Sequence, residues 1–455
     1  MNKGEIVELT IEKLVYGGEG IGKIGNTTVF VEDVAPNDRI RAEIVSVKKD
    51  YAKAILKEVV EPSPYRVKPV CALAKVCGGC QRQHIDYAEQ LRAKKQIVSE
   101  TLERVGGIQT EVNDVLYSGE TTEYRCKVQL PVSRTKVSKR FLAGYYRKNT
   151  HEVVNIKYCP VQPAIINQIT AFLLEKAKEC ELSAYNEKTK KGLIRHFVYR
   201  YSKVNQNLTL TIAVHQEKVS GNLWKLCHLA KEKFPQLAGV AVNFNTTNSN
   251  LILTDKTELI EGNAHVTEKI GDKLFRISCD AFFQVNPSAA GIMFNEVRKI
   301  VAERTKNPEV LDIYAGSGGF SIFLSDIANK IVAVEDNKSS IADGKHNLTK
   351  NNIKNVSYRE GNADVEVPKL LEQGRKFDVV VLDPPRKGCS EAVLNAIKGL
   401  ASKYLIYVSC NPSTLARDIK LLGTDFKVVS VQPMDMFSHT WHIETICLLA
   451  KSGLA

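Results

Sequence analysis

Cys410 stands between the apolar run Tyr404-Leu405-Ile406-Tyr407-Val408 and Asn411-Pro412. The run is short, aromatic and β-branched, which predicts a buried strand. Asn-Pro then turns the chain, so the thiol falls at the strand's carboxyl end, where open α/β sheets hold their ligands. Downstream, His442-Ile443-Glu444-Thr445 opens a last strand and brings an acid. One thiol and one carboxylate suit a specific chemistry. Uracil C5 is a poor nucleophile, but a thiolate added at C6 makes an enolate whose C5 attacks a methyl donor. A base must then remove the C5 proton so that the thiol can leave. A thiol has an ordinary pKa of about 8.5, so such a site must favour the thiolate or take its proton during attack. The plain alternatives are a buried structural thiol, the commoner fate of cysteine, and an exposed strand-end acid. The position of Cys410 before Asn-Pro argues against the first.

Two further strand ends carry functional groups. Val310-Leu311-Asp312-Ile313-Tyr314 runs into Ala315-Gly316-Ser317-Gly318-Gly319-Phe320, and Phe377–Leu382 runs into Asp383-Pro384-Pro385-Arg386-Lys387-Gly388. From 309 onward strands and helices alternate, the pattern of a doubly wound parallel sheet. The strand Ile331–Glu335 ends in an acid 23 residues after Asp312, suited to both hydroxyls of a ribose. The loop is not GxGxxG, and no Gly-Lys-Ser/Thr follows it. Dinucleotide and P-loop readings are therefore weak, and S-adenosylmethionine fits better. Arg386 follows Asp-Pro-Pro where an RNA cytosine-5-methyltransferase would carry a second cysteine. Adenine-N6 methylation would want an aromatic after Pro-Pro. In Phe282-Phe283-Gln284-Val285-Asn286-Pro287 an exposed ring beside an amide suits a planar base, but by themselves both rings read as core.

The elements that must position these groups fill 455 residues, enough for roughly three domains. Residues 1 to about 60 read as a small OB-like β-barrel with Gly and Pro turns. Its Lys23, Arg39, Lys48, Lys49 and Lys53 alternate with Tyr16, Phe30 and Tyr51, which suits RNA. Glu61-Pro62-Ser63-Pro64 is a linker. Residues 84 to 105 predict an amphipathic helix, with Tyr87, Leu91, Ile97, Val98 and Leu102 near one stripe and Gly106-Gly107 ending it. Residues 123 to 160 hold nine Lys/Arg against two Asp/Glu, with Tyr124, Phe141, Tyr145 and Tyr146 among them. Such a stretch neutralises phosphates and stacks on unpaired bases. Arg134-Thr135-Lys136 and Lys139-Arg140 fall in a predicted hairpin. Residues 161 to 265 alternate helix and strand, with Gly192–His196 and Val242–Asn245 as strand entries; His196 and His215 read as structural or RNA-facing. Overall Lys and Arg total 63 against 51 Asp and Glu, a charge of +12 that favours a polyanionic partner.

Eleven cysteines, no stretch of 18 apolar residues and a start without a signal peptide's apolar core predict a reducing, cytoplasmic setting and no membrane span. Cys71, Cys77 and Cys80 lie within ten residues around Gly78-Gly79, and Cys159-Pro160 comes far downstream. Four thiolates suit tetrahedral zinc or an iron–sulfur cluster. Zinc sites more often use two close pairs, so the spacing favours [4Fe–4S]; unligated thiols are the remaining alternative.

Gly-Glu-Gly-Ile-Gly followed by Val-Phe-Val-Glu resembles the TRAM domain, an RNA-binding module. The C-terminal half resembles the RNA (uracil-5-)-methyltransferases through Phe282–Pro287, Asp312-x-Tyr314-x-Gly316-x-Gly318, Asp383–Gly388, Ser409-Cys410-Asn411-Pro412 and His442-x-Glu444. With barrel and cysteines, nearly the whole chain is similar to the RumA-type 23S rRNA branch of that RNA 5-methyluridine methyltransferase family. The resemblance implies a multidomain chain: a TRAM-like barrel at 1–60, an α+β iron–sulfur and RNA-binding domain at 61–92 and 123–265, and a Rossmann-like class I methyltransferase domain at 93–122 and 266–455. It implies Cys410 as nucleophile and Glu444 as base. It implies S-adenosylmethionine held by Gln284, Tyr314, Gly316, Gly318, Gly319, Glu335, Asn362 and Asp383. Substrate uracil would meet Phe282, Gln284 and Asp383. Cys71, Cys77, Cys80 and Cys159 would hold a structural, RNA-facing [4Fe–4S] cluster. The partner implied is RNA, 23S rRNA first and tRNA second, bound by a monomer; a non-enzymatic iron–sulfur RNA chaperone is the alternative of another class. Departures from the family pattern are Ala315 for a common cysteine, Gly319 for a variable side chain, Asn362 for a frequent Asp, Cys126 for Asn, and Cys279 and Ala281 before Phe282. None removes a catalytic group.

Overall fold

The computed structural model describes residues 1–454 except Lys136 and Lys139. These form two compact units, one of Met1–Tyr117, Pro385–Cys389 and Tyr407–Leu449, the other of Ser118–Pro384, Ser390–Ile406 and Ala450 onward. No described helix is long and apolar enough to cross a membrane.

The first unit opens with a six-stranded sheet in the order Ile6–Thr10, Arg39–Val47, Tyr51–Glu61, Thr27–Val31, Gly20–Ile24, Lys13–Leu14. Period-2 alternation buries Val7 and Leu9 while Ile6 and Glu8 face out. Ile11, Val29, Val31, Ile40 and Ile44 fill the core. Glycine is required at position 22, where a Cβ would sit 2.3 Å from the Thr10 carbonyl oxygen. The predicted helix at 84–105 spans Tyr87–Thr101, and one π turn carries it to Gly106. The Asp86 carboxylate caps it by accepting the Ala88 N–H at 3.0 Å, and Gly107 ends it at φ +69°. This helix is not the simple apolar stripe expected, because it also buries Gln90 and Lys94. Lys94 Nζ pairs with the Asp435 carboxylate at 2.8 Å, and both side chains are fully buried. Such a pair is retained only where both charges stay satisfied; the Tyr87 hydroxyl supplies a further donor to Asp435 at 2.8 Å.

The second unit holds a mixed sheet in the order Thr257–Gly262, Leu237–Phe244, Asn207–Val214, Ile194–Ser202, Lys127–Arg134, Phe141–Ala143. Helices Ala164–Glu179 and Gly221–Lys233 contribute Ile169, Leu173, Leu226 and Ala230 to its core. Val242–Asn245 is the exit of its strand, not an entry, since Leu237 begins that strand. Lys127–Arg134 and Phe141–Ala143 form the predicted hairpin, although Lys136 and Lys139 lie outside the described residues. Part of the basic stretch faces inward: the Arg134 guanidinium lies 4.2 Å from the Phe141 ring and donates to the Leu182 carbonyl at 2.6 Å.

The same unit carries four parallel strands in the order Val356–Glu360, Lys330–Glu335, Glu309–Ile313, Phe377–Leu382. Asp312 pairs with Ala333 on one side and Val381 on the other. That register brings Tyr314, Asp336 and Asp383 out at one carboxyl edge, as a doubly wound sheet requires.

Candidate active site

In the second unit a cleft opens at that edge, lined by Phe282, Phe283, Gln284, Tyr314, Gly316, Gly319 and Asp383 among others. Tyr314 takes φ +64°, a left-handed conformation costly for a side chain of this size and a mark of functional sites. Gly316 and Gly318 follow at φ +56° and +89°. The Glu335 carboxylate accepts the Gly316 N–H at 2.8 Å and the Asn337 N–H at 2.8 Å, so it holds the glycine loop as well as ending its strand. Burial raises its pKa against these amide bonds. Gly319 is not an open position for a donor-contacting side chain: a Cβ there would lie 2.5 Å from Phe294 Cζ. Asn362 stands outside the cleft lining and caps the helix Ala363–Glu372, its Oδ1 accepting the Asp364 N–H at 2.8 Å while its Nδ2 reaches Asp336 at 3.4 Å.

The paired phenylalanines divide. Phe283 is buried, whereas Phe282 is 56% exposed, which corrects the expectation that both are core. Lys127 Nζ lies 5.8 Å from the Phe282 ring centroid. Gln284 Nε2 approaches Asp383 Oδ2 at 3.5 Å. Burial, then the charge of Asp312, pushes the Asp383 carboxyl up to about 7. Some of its surface stays open to the cleft, so water relieves part of that cost. The sign follows from linkage. A carboxyl whose folded pKa lies above its unfolded value stabilises fully below the unfolded value, and that stability is lost as pH rises through about 7. Asp383→Asn is therefore expected to gain about 1 kcal/mol at pH 8 over the wild type, with the gain shrinking as pH falls and gone at about pH 3, below the unfolded value. Thermal melts at the two pH values check this.

In the first unit Cys410 follows the strand Ala401–Ser409 and precedes the helix Pro412–Leu422. Asn411 caps that helix, its Oδ1 accepting the Ser413 N–H at 3.0 Å, and Pro412 occupies the first turn. The thiol thus sits one residue before a helix N-terminus, where the partial positive charge favours an anion. Asn411 Nδ2 donates to the Arg386 carbonyl at 3.3 Å, and Arg417 donates to the Lys387 carbonyl at 2.8 Å, so this helix also holds the segment after Asp-Pro-Pro. Buried Asp418 adds the Cys389 N–H at 2.9 Å and the Tyr407 hydroxyl at 2.6 Å.

Glu444 is buried and begins the strand Glu444–Lys451; His442 lies in the turn before it, not on the strand. The Trp441 and His442 rings meet at 4.0 Å between centroids, and Arg386 Nη2 approaches His442 Nδ1 at 3.2 Å. Sequence reasoning placed Tyr16 only among the barrel's aromatics. Its hydroxyl in fact donates to the Cys410 carbonyl at 3.1 Å. Its pKa is pushed up to about 12, first by burial and then by the charges of Cys410 and Glu444, so the phenol stays a donor. The Tyr16 ring also meets Trp441, three residues before Glu444, so one side chain touches both the Cys410 backbone and the segment that leads to Glu444.

Cys71, Cys77 and Cys80 lie on a loop of the first unit. The Leu73 N–H points at Cys71 Sγ and the Gly79 N–H at Cys77 Sγ, each at 3.4 Å. Amides aimed at sulfur favour thiolates, and soft thiolates fit an iron–sulfur group. Cys159 belongs to the second unit, buried, its N–H held by Asn167 Oδ1 at 3.1 Å. Among the described residues no three His, Cys, Asp or Glu side chains group as metal ligands.

Residues 86–452 match the protein family described as tRNA (Uracil-5-)-methyltransferase, and residues 2–57 match the TRAM domain. An uncharacterized RNA methyltransferase of Bacillus cereus is 35% identical over 456 residues, covering 99% of this chain and 98% of its own. One from Caldanaerobacter subterraneus is 36% identical over 455 residues, covering 99% and 100%. The crystal structure of the Pyrococcus abyssi tRNA (uracil-54, C5)-methyltransferase in complex with S-adenosyl-L-homocysteine superposes with a TM-score of 0.76 at 26% identity, over 97% of this chain and 99% of that one.

Proposed function

The chain belongs to the RNA (uracil-5-)-methyltransferase family, and from that premise we propose that it methylates C5 of a uridine in 23S rRNA through a covalent bond between Cys410 and C6. The observation that carries the reading is a thiol before a helix N-terminus and a buried carboxylate whose segments both meet Tyr16, through the Cys410 carbonyl and the Trp441 ring.

S-adenosylmethionine supplies an electrophilic methyl group. Its fit rests on the glycine loop, the strained Tyr314 and a carboxylate at the end of the next strand. Tyr314, Gly316, Gly318 and Gly319 would cradle it, Gln284 and Asp383 would border it, and Glu335, with Asn362 beside Asp336, would take its ribose and adenine side. Phe282 would stack on a uracil extruded from folded RNA, with Gln284 and Asp383 reading its edge. Cys410, as thiolate, would bond to C6 and the ring electrons would shift to the enolate; C5 would then take the methyl group as its bond to the donor's sulfonium sulfur breaks, leaving that sulfur a neutral thioether. Glu444 removes the C5 proton, the C5–C6 double bond re-forms, and the C6–S bond breaks.

Cys71, Cys77, Cys80 and Cys159 would hold [4Fe–4S], which would cross-link the chain and needs no redox role in this reaction. The support is the spacing of Cys71, Cys77 and Cys80 around Gly78-Gly79 and the two amides directed at sulfur.

The rRNA target is supported by the resemblance across barrel, cysteines and catalytic motifs. A tRNA T-loop uridine is the second reading, favoured by the likeness to the archaeal tRNA enzyme. Labelled S-adenosylmethionine with unmodified 23S rRNA and bulk tRNA in separate reactions, followed by nucleoside mass spectrometry, decides. Label in 5-methyluridine from rRNA is expected. Label from tRNA alone would move the substrate and keep the chemistry. No label in either would favour the RNA chaperone.

A further inference from the structure

We infer that Tyr16, on a loop of the barrel, is a positioning residue for the methyltransferase site, so that the N-terminal module is part of the catalytic apparatus as well as an RNA-binding one. The inference rests on the functional reading above.

Contacts within the first unit carry it. The Tyr16 hydroxyl donates to the carbonyl of Cys410 itself, at 3.1 Å. The Tyr16 ring meets Trp441 edge-on, with centroids 4.8 Å apart, and Trp441 is three residues before Glu444. Gly18 comes so close that a Cβ would lie 3.1 Å from Trp441 Cδ1. The buried Arg82 guanidinium donates to the Val15 carbonyl at 3.3 Å, while the Gln81 and Arg82 N–H groups both donate to the His439 carbonyl, at 3.0 and 2.9 Å. One barrel loop, Val15–Gly18, therefore braces both segments that deliver the reacting groups: the strand end before Asn411 and the turn before Glu444. Lys13 fixes the loop's base by an ion pair with Glu100 at 2.6 Å.

The physical consequence follows from the reaction's geometry. The sulfur must reach C6 from one face of a flat ring, and Glu444 must later reach the proton on C5. A displacement of about 1 Å costs such a reaction up to about 100-fold. The Cys410 carbonyl lies on the residue that carries the nucleophile, so a hydrogen bond there limits the swing of its Cα–Cβ bond without touching the thiol. Tyr16 acts through Cys410 and Trp441; no step of the reaction needs the phenol's proton.

The test uses Tyr16→Phe in the full-length protein, which keeps the ring on Trp441 and removes only the hydroxyl. Wild-type and variant protein are mixed with an RNA that the wild type methylates, carrying 5-fluorouridine at the target so that the adduct cannot resolve. Adduct formation in single turnover is expected to slow about tenfold, with RNA affinity by filter binding and melting temperature unchanged. Trp441→Phe, which removes part of the ring that Tyr16 meets, is expected to slow the same step and serves if Tyr16→Phe folds poorly. An unchanged adduct rate in Tyr16→Phe, or a loss entirely in RNA affinity, would overturn the inference and leave the barrel as a binding module alone. A wild-type protein that methylates no RNA would instead overturn the functional reading.

Discussion

Glu444→Gln protein mixed with S-adenosylmethionine and substrate RNA is expected to accumulate a covalent RNA–protein adduct, visible as a shifted band on a denaturing gel. The argument is one of sequence in time. Attack of Cys410 on C6 and methyl transfer to C5 precede proton removal, so neither needs the carboxylate as a base. Elimination does need it. Glutamine keeps the size and much of the hydrogen bonding of a side chain that is buried at the start of its strand, so the fold should survive. General-base removal typically slows a step by about 10²–10⁴-fold, enough for the methylated adduct to outlast the reaction. Multiple turnover should fall by at least about 100-fold while a first-turnover adduct forms at near wild-type rate. Absence of any adduct, with turnover lost, would assign Glu444 to binding or folding and require another base.

Cys410→Ala is expected to abolish both the adduct and the product. Alanine removes the sulfur nucleophile, and without the C6 bond the C5 carbon stays too electron-poor to take a methyl group. The loss should reach at least about 10⁴-fold. The side chain is only half-buried, and the caps and ties of its segment run through Asn411, Ser409 and Asp418. Stability should therefore stay within about 1 kcal/mol of wild type, and donor binding should persist. The double variant with Glu444→Gln should behave as Cys410→Ala alone, because a base cannot act on an intermediate that never forms. Gels and single-turnover label transfer check both statements.

Much of this arrangement is legible in the sequence because strand ends and turns are local. Tyr404–Val408 before Asn-Pro specifies a strand and a stop, and the strand Ala401–Ser409 follows. Asp312 and Glu335 mark two parallel strands whose register is set by apolar runs on both sides. The turn Gly17–Gly18 is also local, since both glycines take positive φ between the strands Lys13–Leu14 and Gly20–Ile24. What was not legible depends on contacts between distant residues. Lys94 looks like one more surface lysine until Asp435 meets it 341 positions away. Phe282 and Phe283 are indistinguishable in sequence, and only the chain's course before Asn286 buries one and exposes the other. Tyr16 has no periodic signature, and its partner Cys410 lies 394 positions downstream. Gly319 reads as a substitution at a variable position, whereas Phe294 already fills the space its side chain would need.

The measurement that tests the central claim most directly maps the bond itself. Wild-type protein is incubated with S-adenosylmethionine and a 5-fluorouridine-substituted substrate RNA, digested with nuclease and trypsin, and sequenced by mass spectrometry. The account predicts a methylated 5-fluorouridine attached to Cys410 and to no other cysteine. An adduct on a different residue, or continued methylation of ordinary uridine by a protein that never forms one, would contradict it.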